Sequence, residues 1–178
     1  YDGIPPGILR RMGKAIRMGV GAAMPILKSS NPVNGIIIGT AKGGMEDCIK
    51  FLNQIVQYEE GLLAPGNFVQ STSNAIAAQL GLLSHNKSYN TTHVHRGLAF
   101  ENAVIDSIMQ LNEFPGTQYL LGGVDEISDF NYNIETLSGA YKKESVSNEH
   151  LYDADSPGSI PGEGAAMFLL NRQKEKAI

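Results

Sequence analysis

Apolar positions along the chain repeat with two different periods, and the alternation between them predicts the elements. Residues 5–28 set Ile8, Leu9, Met12, Ile16, Val20 and Met24 roughly three to four apart. That spacing predicts one helix, with Pro5 and Pro6 suited to its start and Asn31-Pro32 marking the loop beyond it. "NGIIIGTA" (34–41) is a continuous apolar run, as expected of a central strand covered on both faces. Residues 42–60 return to helical spacing, with Met45, Ile49, Leu52, Ile55 and Val56 on one side. Glu46 and Asp47 fall in that helix's first turn, where its dipole favours acids. "GLLAPGNFVQS" reads as an irregular loop, and "SNAIAAQLGLL" as a short helix capped by Ser73 or Asn74. "KSYNTTHV" predicts a strand, "RGLAFENAVIDSIMQLNEF" a helix, and "TQYLLGGVDE" a third strand. A polar stretch with a short helix and a long loop follows, before a last strand in "AAMFLLNR". Strands near 34–40, 87–94, 117–123 and 164–171, separated by helices, imply an α/β layered fold around a mainly parallel sheet.

Length and charge narrow the classes. A chain of 178 residues is one domain's worth and buries roughly two thirds of its unfolded surface. Charged residues make up 18%, below the typical quarter or so, which suggests that a partner covers part of the surface. A net charge of −4 argues against nucleic acid and anionic membrane as ligands. No apolar run approaches the roughly 18 residues of a membrane span, and no signal peptide is recognised. The single Cys48 excludes an internal disulfide and fits a reducing, cytoplasmic setting. The start at Tyr1 and the charged end "NRQKEKAI" suggest a piece of a longer protein.

Candidate chemistry is sparse. His93 and His95 stand two apart on a strand, so both rings have a route to one metal, but His85 and His150 supply no third ligand at suitable spacing. Cys48, in mid-helix among apolar neighbours, reads as a small buried hydrophobe that is slow to alkylate. "GTAKGGMED" lacks the spacing of a phosphate-binding loop, and no Gly-x-Ser-x-Gly elbow exists. Asp125 and Glu126 follow a strand end, where solvated loop acids are commoner than catalytic ones.

Taken in order, five stretches carry a resemblance. "IIIGTAKGGMEDCIKFL", "LAPGNFVQSTSNAIAAQLGL", "TTHVHRGLAFENAVIDSI", "YLLGGVDEIS" and "SIPGEGAAMFLL" resemble the N-terminal half of the β-ketoacyl synthases, the condensing enzymes of fatty-acid and polyketide synthesis. The resemblance runs from about Gly7 to Leu170. It implies a thiolase-like fold of two similar halves, each with a five-stranded sheet, of which this chain supplies the N-terminal half without its first strand. It also implies a homodimer or a heterodimer with a ketosynthase, the elbow strand and the loop around "PGNFVQSTSN" lying near the two-fold axis.

In the resembling enzymes the elbow reads approximately Ala-Cys-x-x-Gly, and its Cys attacks an acyl thioester at a helix N-terminus. Matching the glycine to Gly97 sets the nucleophile position at Val94, and sliding one residue either way sets it at His93 or His95. None of these is a thiol. Thr92, His95, Gly97 and Phe68 are the expected elbow and pocket residues. Gly97 is expected in the first turn of the following helix, where a side chain would strike a neighbouring backbone. No cofactor is implied, and the implied partners are acyl carrier protein and acyl thioesters. Arg10, Arg11, Lys14 and Arg17 form a basic stripe suited to an acidic carrier protein. The resemblance points to a non-condensing partner of the kind called chain-length factors. An acyltransferase using another nucleophile, or a module that binds acyl chains or carrier protein, remains open.

Overall fold

Ile36, Ile37 and Ile38 are fully buried, which places their strand, β1 (Gly35–Thr40), inside the sheet with both faces covered. The computed structural model describes Tyr1 and residues 3–173, so the last part of the charged C-terminal stretch lies outside the described residues. β1 pairs in parallel with β2 (Tyr89–Val94) on one side and β3 (Tyr119–Asp125) on the other. β4 (Gly164–Leu170) runs antiparallel along β3, giving the order β2-β1-β3-β4. Each strand overlaps its predicted position, and the sheet is mainly parallel.

The two faces of the sheet are covered unequally. On one side, α2 (Lys14–Ser29) and α5 (Ala75–Leu83) pack over Ile36, Ile38, Leu120 and Val124. On the other, α6 (Ala99–Glu113) covers a smaller group built from Ile37, Leu121, Tyr119, Ala103 and Leu111. Phe168 of β4 stays half exposed on that side, against Phe100.

Three local expectations fail for physical reasons. The helix predicted over 5–28 is two, α1 (Pro6–Leu9) and α2, broken at Arg10–Gly13. Gly13 is held in extended backbone and donates its amide to Gln70 Oε1 at 2.8 Å, while the Gln70 amide donates to the Arg11 carbonyl. The "irregular" loop contains a turn and a half of helix, α4 (Pro65–Gln70), started by Pro65. α3 (Met45–Gln57) buries no residue fully, so Cys48 is partly exposed rather than buried. Leu52 and Val56 on its apolar side are 51% and 80% exposed.

α7 (Asp129–Leu137) begins with a reciprocal capping box between Ser128 and Asn131. The long segment after it contains a 3₁₀ turn, Asn148–Asp153, and is pinned back by the bridge between Tyr141 and Ser159.

Asp47, in the first turn of α3, has a buried Oδ2 with no hydrogen-bond partner. Burial, ahead of its charged neighbours, pushes its pKa up. A carboxyl with a raised folded pKa contributes its stability below the unfolded value, near 4, and loses it as the pH climbs through the folded value. Asp47→Ala is therefore expected to gain on the unsubstituted protein as the pH rises from about 4 to 7. Melting curves of both proteins across that range check it, and an Asp47→Ala protein that loses ground to the unsubstituted one as the pH rises refutes it.

Candidate functional site at the end of β2

The elbow is built by continuing the sheet for one residue and then folding a side chain over the turn. Val94 is the last residue of β2, opposite Thr40 of β1. His95 still donates its backbone amide to the Thr40 carbonyl at 3.2 Å. Its ring then bends over the turn at 96–98, where Nδ1 accepts from the amides of Leu98 at 3.0 Å and Gly97 at 3.3 Å. That is the role an Asn or Asp side chain takes at a helix N-terminus. α6 starts immediately afterwards, at Ala99.

The predicted site residues meet different neighbours. His93 Nε2 lies 2.8 Å from Asp106 Oδ2 on α6, and Tyr89 Oη donates to the same carboxylate at 3.0 Å. His93 and His95 thus engage separate partners and do not converge on one ion. Thr92 Oγ1 donates to Asn74 Oδ1 at 2.7 Å, and Asn74 in turn donates to Asn90 at 3.0 Å. Asn74 stands at the N-cap position of α5, but its side chain serves β2 instead of capping the helix. Val94 is 47% exposed. Phe68 is on α4, its ring against Phe51 of α3.

Gly97 differs from expectation in place and in reason. It sits in the turn before α6, exposed, and nothing lies within 4 Å of where a Cβ would stand. The close backbone approach belongs to Gly39 of β1, where a Cβ would lie 2.7 Å from the Ala99 carbonyl oxygen and 2.8 Å from Phe100 Cα.

Arg96, in the turn, is tied to α7. Its guanidinium and the Lys42 ammonium both donate to Glu135, a buried carboxylate. The Lys42 hydrogen bond, with Arg96 adding to it, lowers the Glu135 pKa. These groups line a cleft of about 250 Å³ that also includes Asp125, Glu126 and Tyr141. It opens beyond the C-terminal ends of β1 and β3, where parallel sheets of this kind leave room for ligands.

Asp125 and Glu126 are not solvated loop acids. Asp125 accepts from the Ala41 amide at 2.8 Å and from Thr40 Oγ1 at 3.0 Å. Glu126 is buried and accepts from two helix N-termini, Ala15 of α2 at 3.0 Å and Glu46 of α3 at 3.3 Å. Burial raises both pKa values against the pull of those amides. Their partners lie about 80 to 110 residues away in sequence, so local spacing carries no signal of the role.

Residues 1–140 match the family described as "Beta-ketoacyl synthase, N-terminal domain". The chain belongs to this family. No curated protein sequence matches it. Among solved structures, a β-ketoacyl synthase from Burkholderia phymatum is similar with a TM-score of 0.73 and 17% identity, covering 98% of this chain and 46% of that one. The ishigamide ketosynthase/chain length factor gives a TM-score of 0.72 at 19% identity, over 97% of this chain and 47% of that one. A chain of AntDE:AntF, a type II polyketide synthase acyl-carrier protein in complex with its ketosynthase bound to the hexaketide, gives 0.65 at 20% identity, over 97% and 51%. This ketosynthase-type chain spans about half the length of those structures, and at such identities the likeness is one of fold. Among the described residues no helix is long and apolar enough to cross a membrane.

Proposed function

We propose that this chain is the N-terminal half of a non-condensing, chain-length-factor-like partner of an active ketosynthase in cytoplasmic fatty-acid or polyketide synthesis. The observation that carries the reading is Val94 at the strand-to-helix elbow, the position that the resemblance gives to the nucleophilic Cys when its glycine is matched to Gly97, with no thiol at His93 or His95 in the neighbouring registers. A valine has no group to accept an acyl chain, and the single thiol of the chain is on α3. Homodimer or heterodimer formation is supported by β2, an edge strand of the sheet, and by the half-exposed apolar Val94, Leu98 and Phe68. In the ishigamide structure a ketosynthase is accompanied by a chain length factor, which is the pairing proposed for this protein.

The proposed contact with acyl carrier protein uses Arg10, Arg11 and Arg17, all exposed around the break between α1 and α2. Lys14 is diverted from that stripe, since it donates to the Ile127 carbonyl at 2.8 Å and pairs with Glu163 at 2.5 Å.

A second reading, an acyltransferase with a different nucleophile, is favoured by one contact. Asp106 orients the His93 imidazole as a carboxylate orients a catalytic histidine. One experiment decides between them. The protein is incubated with acyl-carrier thioester and analysed by intact and peptide mass spectrometry. The expected result is no covalent acyl group together with co-purification of an added ketosynthase, whereas an acyl adduct on residues 93–95 overturns the non-condensing reading.

A further inference from the structure

We infer that His95 silences the elbow independently of Val94, by occupying the backbone donors that would otherwise stabilise an anion there. The inference rests on the non-condensing reading and deepens it. A thiol at a strand-to-helix elbow gains reactivity because unpaired amides at the start of the helix favour its thiolate. In this elbow two of the donors closest in sequence to position 94, those of the turn just before α6 begins at Ala99, are already committed. Gly97 and Leu98 both donate to His95 Nδ1, at 3.3 and 3.0 Å.

An imidazole nitrogen that accepts hydrogen bonds carries no proton, so the ring's proton is on Nε2. The acceptor is internal to the turn, and an incoming anion would have to displace it. His95 cannot swing its ring away without loss, because the freed donors of Gly97 and Leu98 would lose their partner. Restoring a thiol at position 94 is thus insufficient to restore a nucleophile. Arg96 does not substitute as a cation for a thiolate, since its guanidinium is bound to Glu135 and to Ser138 Oγ.

The test compares Val94→Cys alone with Val94→Cys/His95→Ala and Val94→Cys/His95→Asn. Alkylation by iodoacetamide is followed against pH, with peptide mass spectrometry counting position 94 separately from Cys48. Val94→Cys alone should titrate near an ordinary thiol, around 8.5. Adding His95→Ala should lower the midpoint by about one unit and raise the rate at pH 7 about threefold, less than tenfold because a less basic thiolate is also a weaker nucleophile. Adding His95→Asn should behave like Val94→Cys alone, because the amide oxygen of Asn caps the same donors. The inference fails if Val94→Cys alone already titrates low, if His95→Ala leaves the midpoint unchanged, or if His95→Asn shifts it as much as His95→Ala. An acyl adduct on the unsubstituted protein would instead overturn the non-condensing reading and leave this thiol comparison intact.

Discussion

Gly39→Ala should destabilise the protein by about 3 kcal/mol or more and lower its melting midpoint by roughly 6–12 °C. The three atoms nearest the new methyl are all backbone: the Ala99 carbonyl oxygen at 2.7 Å, its carbon at 2.8 Å and Phe100 Cα at 2.8 Å. No rotamer change relieves such a contact. Either β1 withdraws from the sheet or the first turn of α6 lifts off it. β1 is the strand that pairs with both β2 and β3, so the first route disrupts the sheet from its middle. The second route moves Ala99, one residue beyond the turn that His95 caps, and so opens the elbow. Gly97→Ala is the control, since its Cβ would meet nothing within 4 Å, and it should leave the midpoint nearly unchanged. Thermal or urea unfolding of the two variants tests the pair. A Gly39→Ala protein no less stable than Gly97→Ala would show that α6 is not seated on β1 as described.

The contrast between Gly39 and Gly97 also marks how far the sequence could be read. Strand positions are legible because Ile36–Ile38 and Leu120–Leu121 cluster apolar surface that must be covered, and the strand expected near 87–94 does end at Val94. Which glycine admits the helix was not legible. A Gly between a strand and a helix looks like the point of close approach, but the approach is made between β1 and the first turn of α6, about 60 residues apart in sequence. The break between α1 and α2 escaped for the same reason, being fixed by Gln70 from a distant helix. The helical pattern of α3 was real, but periodicity reports an apolar side without saying what covers it, and Leu52 and Val56 remain exposed. That residues 93–95 carry no thiol is legible in the residues themselves. The capture of the elbow's amides by His95 is not, because histidine is an uncommon cap and its ring can turn either way from the strand.

Glu126→Ala should be the most damaging change of a charged residue near the cleft, costing about 2–4 kcal/mol through two lost hydrogen bonds to helix amides, one of them buried. The residue is 6% exposed, and its two carboxylate oxygens divide between the first turns of α2 and α3. Both helix dipoles present their positive ends to it, which offsets the cost of burying the charge. Removing the side chain leaves the Ala15 and Glu46 amides without that acceptor in a site where Ala15 is buried. Glu126→Gln retains one acceptor oxygen and should lose about half as much. The pH dependence separates charge from shape. Burial raises the Glu126 pKa, so its contribution is fullest below the unfolded value, near 4.3, and declines as the pH rises through the folded one. The deficit of Glu126→Gln relative to the unsubstituted protein should accordingly narrow between about pH 4 and pH 7. Urea midpoints for the three proteins at both pH values measure this. A deficit that widens with pH would mean that the helix amides outweigh burial at this carboxylate, and that its charge, not its two acceptor oxygens, is what joins α2 and α3 to the end of β3.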